Sequence, residues 1–184
     1  MQSKFCDDAD NLVATGGLTS KVFVWDCQAP EYKEVACFDH IDFDSNFHCL
    51  EIEWQNSKTL ACAGNKSKYI YLWNIDQPRQ PQIKWEYHSE NIEQIQWDPS
   101  KRLLASCSNE NFVCIWSTEK NTPEFVFEKT SSPVVTIKWS HGRGAPSMQA
   151  EDPLLAAGCQ DGQILIYNAK TGNLQTKLDA QERE

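Results

Sequence analysis

The sequence has no cluster of Lys or Arg, no apolar run long enough to span a membrane and no CxxC pair. Affinity for nucleic acid rests on clustered basic groups that displace counterions, whereas this chain carries a net charge of -9. The N-terminus, MQSKFCDDAD, also lacks the apolar segment of a secretion signal. These absences predict a soluble intracellular protein whose partners are other proteins, with no direct nucleic acid and no membrane.

Signatures of catalysis and of cofactor binding are missing as well. There is no G-x-S-x-G elbow and no glycine-rich phosphate loop. The four histidines show no ligand spacing, so we expect no metal, no cofactor and no enzyme activity. Several of the eight cysteines lie inside apolar, strand-like segments and are predicted to be reduced core thiols: Cys62, Cys107, Cys114 and Cys159.

What is present is a repeat. Four short apolar segments, VFVW, YIYLW, FVCIW and ILIY, end on the aromatic residues Trp25, Trp73, Trp116 and Tyr167, which lie 48, 43 and 51 residues apart. Such segments are too short for helices and lack a polar face, so they predict strands that are covered on both sides. A period in this range is typical of radial β repeats.

A second series of tryptophans supports the repeat. Trp54 and Trp97 each lie 19 residues before the aromatic residue that ends the next apolar segment, whereas Trp139 lies 28 residues before Tyr167. The last repeat therefore contains an insertion, HGRGAPSMQAEDP at 141–153, whose composition predicts a surface loop. The insertion has two interpretations: it contacts a partner, or it is a surface loop without a binding role that the fold tolerates at little cost in free energy.

Each repeat contains four short strands, the outermost of which is richer in charge. The sequence thus predicts an all-β chain of about four four-stranded blades, in units 1–38, 39–87, 88–129 and 130–179, followed by a charged tail at 180–184.

These segments resemble the WD-repeat β-propellers. Trp25-Asp26 is the family's dipeptide, and Trp73-Asn74, Trp116-Ser117 and Tyr167-Asn168 are degenerate forms of it. The family's structural tetrad of His, Ser or Thr, Asp and Trp is nearly complete in the third unit, as His88, Ser106, Glu110 and Trp116. By this resemblance the Trp116 indole donates to the Ser106 hydroxyl, which the histidine and the turn carboxylate hold in place.

The other tetrads are partial. The first unit has Thr15 and Trp25 but Thr19 in the acidic position, and the second has His40 and Trp73 but Ala63 and Ser67. The fourth has Asp161 in its turn, with Ala157 and Tyr167 in place of Ser and Trp. Since packing between repeats supplies most of the stability, the fold does not depend on complete tetrads.

A narrower resemblance is to the transducin-beta-like corepressor subunits. It rests on EIEWQNSKTLACAG, on IQWDPSKRLLASCS followed by CIWS, and on VVTIKWS followed by the long insertion before LLAAGCQDG. It implies a nuclear scaffold within a histone deacetylase complex. The N-terminal dimerisation segment and the F-box-like region of that family have no counterpart in this sequence.

Four blades are fewer than the seven or eight of most such propellers, and the chain begins inside a repeat. We therefore expect a partial propeller: a fragment, a truncated gene product, or a half that another chain completes.

An acidic loop, FDHIDFDSNF at 38–47, is the candidate partner-binding site. Its acidic and aromatic side chains are suited to a basic peptide: Asp39, Asp42, Phe43, Asp44 and Phe47. The alternative is a solvated turn whose acids keep the surface soluble.

The predicted function is a non-enzymatic scaffold in a nuclear corepressor and deacetylase complex. The alternatives are a WD-repeat adaptor in ubiquitin ligation or in ciliary or vesicle transport, and a propeller hydrolase. Because propellers host many functions, this step rests on resemblance and not on a site.

Overall fold

The computed structural model describes residues 2–18, 20–28, 30–39, 48–65, 67–128, 130–140 and 152–179. These residues form sixteen β-strands, which make four sheets of four strands each. Every sheet is an antiparallel meander, because its strands pair in chain order. The predicted all-β architecture of four four-stranded sheets is confirmed. None of the described residues belongs to a helix long and apolar enough to cross a membrane.

The chain divides into two compact units, Met1–Ile92 and Glu93–Glu184. The first unit holds two sheets. The strands of its first sheet are β1 (Gln2–Cys6), β2 (Ala9–Gly16), β3 (Lys21–Asp26) and β4 (Lys33–Asp39). The strands of its second sheet are β5 (His48–Asn56), β6 (Thr59–Asn65), β7 (Tyr69–Asn74) and β8 (Ile83–Glu86).

The core of the first unit lies between these two sheets. The first sheet contributes mostly small and β-branched side chains, among them Ala14, Val22 and Val24. The second sheet covers them with larger ones, including Trp54 and Trp73. Because both faces of a middle strand such as β7 are covered, its run YIYLW has no polar side, as the sequence pattern predicts.

The second unit repeats this arrangement. The strands of its first sheet are β9 (Ile92–Trp97), β10 (Leu103–Ser108), β11 (Val113–Ser117) and β12 (Phe125–Val126). The strands of its second sheet are β13 (Val134–Trp139), β14 (Leu154–Cys159), β15 (Gln163–Asn168) and β16 (Asn173–Asp179). Between the sheets, Ala105, Val113 and Ile115 meet Trp139 and Tyr167.

Two backbone positions in the hairpins show why their residue types are needed. Gly162, in the turn between β14 and β15, has a φ of 90°, and Asn111 has a φ of 68° in the corresponding turn between β10 and β11. Glycine and asparagine are the residues that tolerate this left-handed region best. The turns close the hairpins whose strands carry the tetrad positions.

The outer strands differ in exposure. β4, β8 and β12 each include at least one partly or fully buried residue, whereas all seven residues of β16 are exposed. β16 is also the last strand of its sheet, so one backbone edge faces away from the other three strands.

Candidate functional site

The predicted tetrad hydrogen bond exists in the third sheet. Trp116 lies on β11 and Ser106 on β10, and the indole Nε1–H donates to the Ser106 Oγ over 2.8 Å. Both side chains are fully buried. A buried indole N–H without an acceptor is costly, so this bond allows a tryptophan to end an interior strand.

The first sheet carries the same pair in a more open setting. The Trp25 indole on β3 donates to the Thr15 hydroxyl on β2 over 3.3 Å, and both residues are only half-buried. The Phe23 ring lies beside the indole, with 6.0 Å between the ring centroids. The bond is longer and wetter than its counterpart at Trp116.

The turn carboxylates contact neighbouring hydroxyl and amide groups. Glu110 accepts a hydrogen bond from the Ser108 hydroxyl over 3.0 Å. Asp161 accepts from the Gln163 N–H and the Ser131 hydroxyl, each over 3.0 Å. The Gln163 N–H is the main reason why the pKa of Asp161 is lowered. These contacts order the turns.

The remaining tetrad candidates are placed as follows. His88 is buried, at 2% exposure, in the segment after β8. Trp73 is fully buried on β7, where its ring stacks on Phe38 with the centroids 4.8 Å apart. His40 and Thr19 lie outside the described residues.

Most of the acidic loop also lies outside the described residues: Asp42, Phe43, Asp44 and Phe47. Asp39 is described, at the end of β4, and its carboxylate accepts from the Lys21 Nζ over 2.9 Å. This hydrogen bond is the main cause of the raised pKa of Lys21. Asp39 thus already has a cationic partner on β3.

Hydrogen bonds that the sequence pattern does not predict join the first strands of neighbouring sheets. The Trp54 indole on β5 donates to the Lys4 carbonyl on β1 over 3.0 Å, and the Trp139 indole on β13 donates to the Gln96 carbonyl on β9 over 2.9 Å. The Gln96 side chain also accepts from the Trp139 N–H. The recurrence of these tryptophans was the only signal in the sequence.

A second feature that the sequence did not reveal is a cavity of about 600 Å³ in the second unit. One side is formed by the segment after β12, with Glu128, Thr130 and Ser131, and the other by β15, β16 and their turn. We call this cavity the outer cleft; its lining includes Glu128, Leu165, Tyr167, Leu174 and Lys177. Its volume lies within the range of ligand and peptide pockets.

The outer cleft has an apolar floor and polar sides. Tyr167 stacks on Phe127 with the ring centroids 4.0 Å apart and is 3% exposed. Burial is the main cause that raises the pKa of Tyr167 to about 12, with further contributions from Cys159 and Glu128. The phenol therefore stays protonated at neutral pH and can donate a hydrogen bond.

The described part of the chain contains no group of three or more His, Cys, Asp or Glu side chains placed to hold a metal ion. Three of the four predicted core cysteines are fully buried, and Cys159 is nearly so. Burial raises the pKa of Cys62, Cys114 and Cys159, which keeps these thiols protonated.

Comparison with known proteins agrees with the sheet architecture. The family model "WD domain, G-beta repeat" (WD40) matches residues 79–117, a span that includes the third-sheet tetrad pair. A chain in the crystal structure of the Mitotic Checkpoint Complex superposes with a TM-score of 0.76 at 22% sequence identity, over 98% of this chain and 51% of that chain. The predicted β-propeller fold is confirmed.

Similar proteins come from several settings. Meiotic fizzy-related protein 1 of Schizosaccharomyces pombe is 25% identical over 92% of this chain, WD40 repeat-containing protein HOS15 of Arabidopsis thaliana is 27% identical over 68%, and Protein transport protein Sec31A of Danio rerio is 26% identical over 89%. The chain spans 47%, 20% and 12% of their respective lengths. Within this group the similarity is not specific to transducin-beta-like corepressors.

Proposed function

Because the chain is a WD-repeat protein with a β-propeller fold, we propose that it is a non-enzymatic scaffold that holds other proteins on the surfaces of its sheets and turns. The observation that carries this proposal is that side chains of types able to take part in catalysis are hydrogen-bonded within the fold. Ser106, Glu110 and Asp161 are engaged in hydrogen bonds that order strands and turns. Rigid sheets with ordered turns are suited to binding, because little conformational entropy is lost when a partner docks.

For the pathway, we propose a nuclear corepressor complex that contains a histone deacetylase. The support is the order of the segments, above all VVTIKWS followed by an insertion before LLAAGCQDG. Under this proposal the chain acts in the nucleus and contacts corepressor or deacetylase subunits.

A second candidate is an adaptor in vesicle transport. It is supported by similarity to transport proteins named Sec31 from Danio rerio and Candida glabrata, which extends over 89% and 96% of this chain. The two candidates share the mechanism of surface presentation and differ in the partners.

One experiment tests both the scaffold function and the pathway. The tagged full-length natural product is affinity-purified, and the eluate is analysed by mass spectrometry and by a deacetylase assay. Recovery of a deacetylase with a corepressor platform supports the nuclear proposal, and recovery of vesicle-transport components overturns it in favour of transport. Lys138→Glu, a charge reversal at an exposed residue of β13, is the control for general effects of surface charge on the recovery of partners. If no protein co-purifies above the level of the tag alone, the scaffold proposal is wrong.

A further inference from the structure

The outer cleft is lined by an acidic side chain, a basic side chain and a tyrosine: Glu128, Lys177 and Tyr167. Within the described residues, no ion pair joins Glu128 or Lys177 to another side chain, and Tyr167 lies in the same lining. Glu128 and Lys177 are exposed, so their charges are open to an approaching partner. An acid and a base that line one cavity beside a phenol ring are available to a ligand.

The strand on one side of the cleft can accept an extended chain. β16 pairs with β15 along one edge only, and its seven residues are all exposed. An exposed strand edge offers a row of backbone N–H and C=O groups, which is how many domains capture peptides as an added strand. The backbone of a peptide on this edge would therefore bind without any requirement for its sequence.

The side chains of β16 then set the sequence preference. Leu174 and Lys177 pair across the strands with Tyr167 and Leu165, so their side chains lie on the cleft side of the sheet. Leu174 is 51% exposed, which is high for a leucine next to a cavity. An apolar side chain of an added strand would cover it, and an acidic side chain would lie beside Lys177.

The spacing follows from a bulge. Leu174 and Lys177 are three residues apart in β16, but their partners Tyr167 and Leu165 are only two residues apart, because the register shifts between Ile166 and Tyr167. An unbulged strand on the other edge of β16 would face the same two positions with residues i and i+2. Glu128, on the opposite side of the cleft, is suited to a basic side chain of the same peptide.

We propose that the outer cleft binds an extended peptide segment of a partner protein that runs parallel to β16, in which an aliphatic or aromatic anchor is followed two residues later by an acidic residue and preceded by a basic one. The anchor covers Leu174 above Tyr167, the acidic side chain pairs with Lys177, and the basic side chain pairs with Glu128. This inference deepens the scaffold proposal and rests on it.

The test measures fluorescence anisotropy of labelled, terminally blocked nonapeptides with the full chain. The probe pool has Leu, Phe or Val at the centre, Asp or Glu two positions later and Lys or Arg two positions earlier; the control pool exchanges the two charges. Binding of the probe pool in preference to the control pool is the expected result. If neither pool binds, if both bind equally, or if the control pool binds better, the proposal is wrong.

Variants then assign the contacts. Because exposed ion pairs are weak, Lys177→Glu should lower the affinity for the probe pool by about fivefold and invert the preference between the pools. Leu174→Ala removes the exposed side chain that the anchor covers, so a loss of about three- to tenfold is expected. Lys138→Glu makes the same charge reversal on the face of the sheet that points away from Tyr167, so it should leave the affinity unchanged. An equal loss in Lys138→Glu and Lys177→Glu would contradict a specific site.

The two proposals fail in different ways. If affinity purification recovers partners with the wild-type chain and equally with Lys177→Glu, and the peptides do not bind, the scaffold stands and the cleft is not its peptide site. If no partner is recovered at all, the scaffold proposal fails regardless of the peptide result.

Discussion

Trp116 and Trp25 show how burial changes the value of one hydrogen bond. Both indoles donate to a hydroxyl ten residues earlier in the chain, but Ser106 is fully buried and Thr15 is half-buried. Where water can reach the indole, it replaces a lost acceptor. Where it cannot, the N–H is left without a partner and bears the full desolvation cost.

We therefore expect Ser106→Ala to lower the free energy of unfolding by about 1–3 kcal/mol, and Thr15→Val by less than about 1 kcal/mol. Urea denaturation followed by tryptophan fluorescence measures both. Ser57→Ala, in the turn between β5 and β6, checks that removal of any hydroxyl does not have the same effect. Equal losses for Ser106→Ala and Thr15→Val would refute the role of burial.

At the scale of the strand, the innermost strands β5 and β13 each place a tryptophan against the preceding sheet. The indoles of Trp54 and Trp139 donate to the carbonyls of Lys4 and Gln96, so each unit uses the same device. A carbonyl at the edge of a sheet thereby gains a partner in the next sheet. The bond fixes the register between sheets, which apolar packing alone specifies less well.

Trp139→Phe should cost about 2–4 kcal/mol, because it removes the indole donor and leaves part of the volume empty. Trp54→Phe should cost a similar amount in the first unit. Thermal unfolding by circular dichroism gives both values, with Trp25→Phe as a half-exposed control that is expected to cost less. A Trp139→Phe variant as stable as wild type would show that the indole bond adds nothing to packing.

Strand pairing also depends on a glycine. A Cβ at Gly64 on β6 would lie 1.8 Å from the His48 carbonyl oxygen on β5, which is backbone and cannot rotate away. At Gly158 on β14, a Cβ would meet mainly a methyl group of the Thr136 side chain at 2.8 Å. The two glycines therefore differ in what an added Cβ would meet: backbone at Gly64 and a side chain at Gly158.

Gly64→Ala should therefore destabilise the chain by about 3 kcal/mol or more, through displacement of β5, and Gly158→Ala by about 1 kcal/mol or less. Chemical denaturation of the two variants side by side makes the comparison. Should Gly158→Ala prove the more harmful change, the backbone clash would not be the deciding factor.

At the scale of the whole molecule, carboxylates control stability in acid. Hydrogen bonds lower the pKa of Asp26 and Asp161, chiefly from the N–H groups of Gln28 and Gln163, and Lys68 and Lys170 lower the pKa of Glu86 and Asp152. A lowered pKa contributes stability that is complete above the unfolded-state value of about 4 and is lost as the pH falls through the folded-state value.

The urea midpoint should therefore stay level from about pH 8 to pH 5 and fall below about pH 4. The double variant Asp26→Asn/Asp161→Asn keeps oxygen acceptors for both N–H groups but removes their titration, so its acid decline should be shallower. A midpoint that rises between pH 5 and pH 3 would contradict the assigned directions.

Tyr167 contributes to the loss of folding stability at alkaline pH. Its pKa is raised to about 12 by burial, so its contribution is complete below the unfolded-state pKa of about 10 and is lost as the pH rises towards 12. Tyr167→Phe should flatten the decline in stability between pH 10 and pH 12 while the stacking on Phe127 remains. Unfolding midpoints at pH 9, 10 and 11 test this, and an unchanged slope in the variant would argue against it.

Much of the fold could be predicted because short segments of the sequence carry the hydrophobic patterns of its strands. Runs such as YIYLW and FVCIW lack a polar face, and their even recurrence implies sheets that cover one another. The tetrad pairs at Ser106 and Trp116 and at Thr15 and Trp25 came from the resemblance to WD-repeat propellers. The roles assigned to His88 and to the acidic loop, and the division of the chain into repeats at 38, 87 and 129, stay predictions.

The sequence by itself determined the all-β class, the number of sheets and the buried aromatic positions, because hydrophobic periodicity and repeat spacing act along the chain. Only the tertiary structure decided that Trp139 donates to Gln96, that Gly64 must lack a Cβ, and that Glu128, Tyr167 and Lys177 line one cavity. Each of these depends on the approach of segments that are distant in the chain. Such distances follow from how the sheets pack, and no pattern within a single repeat encodes them.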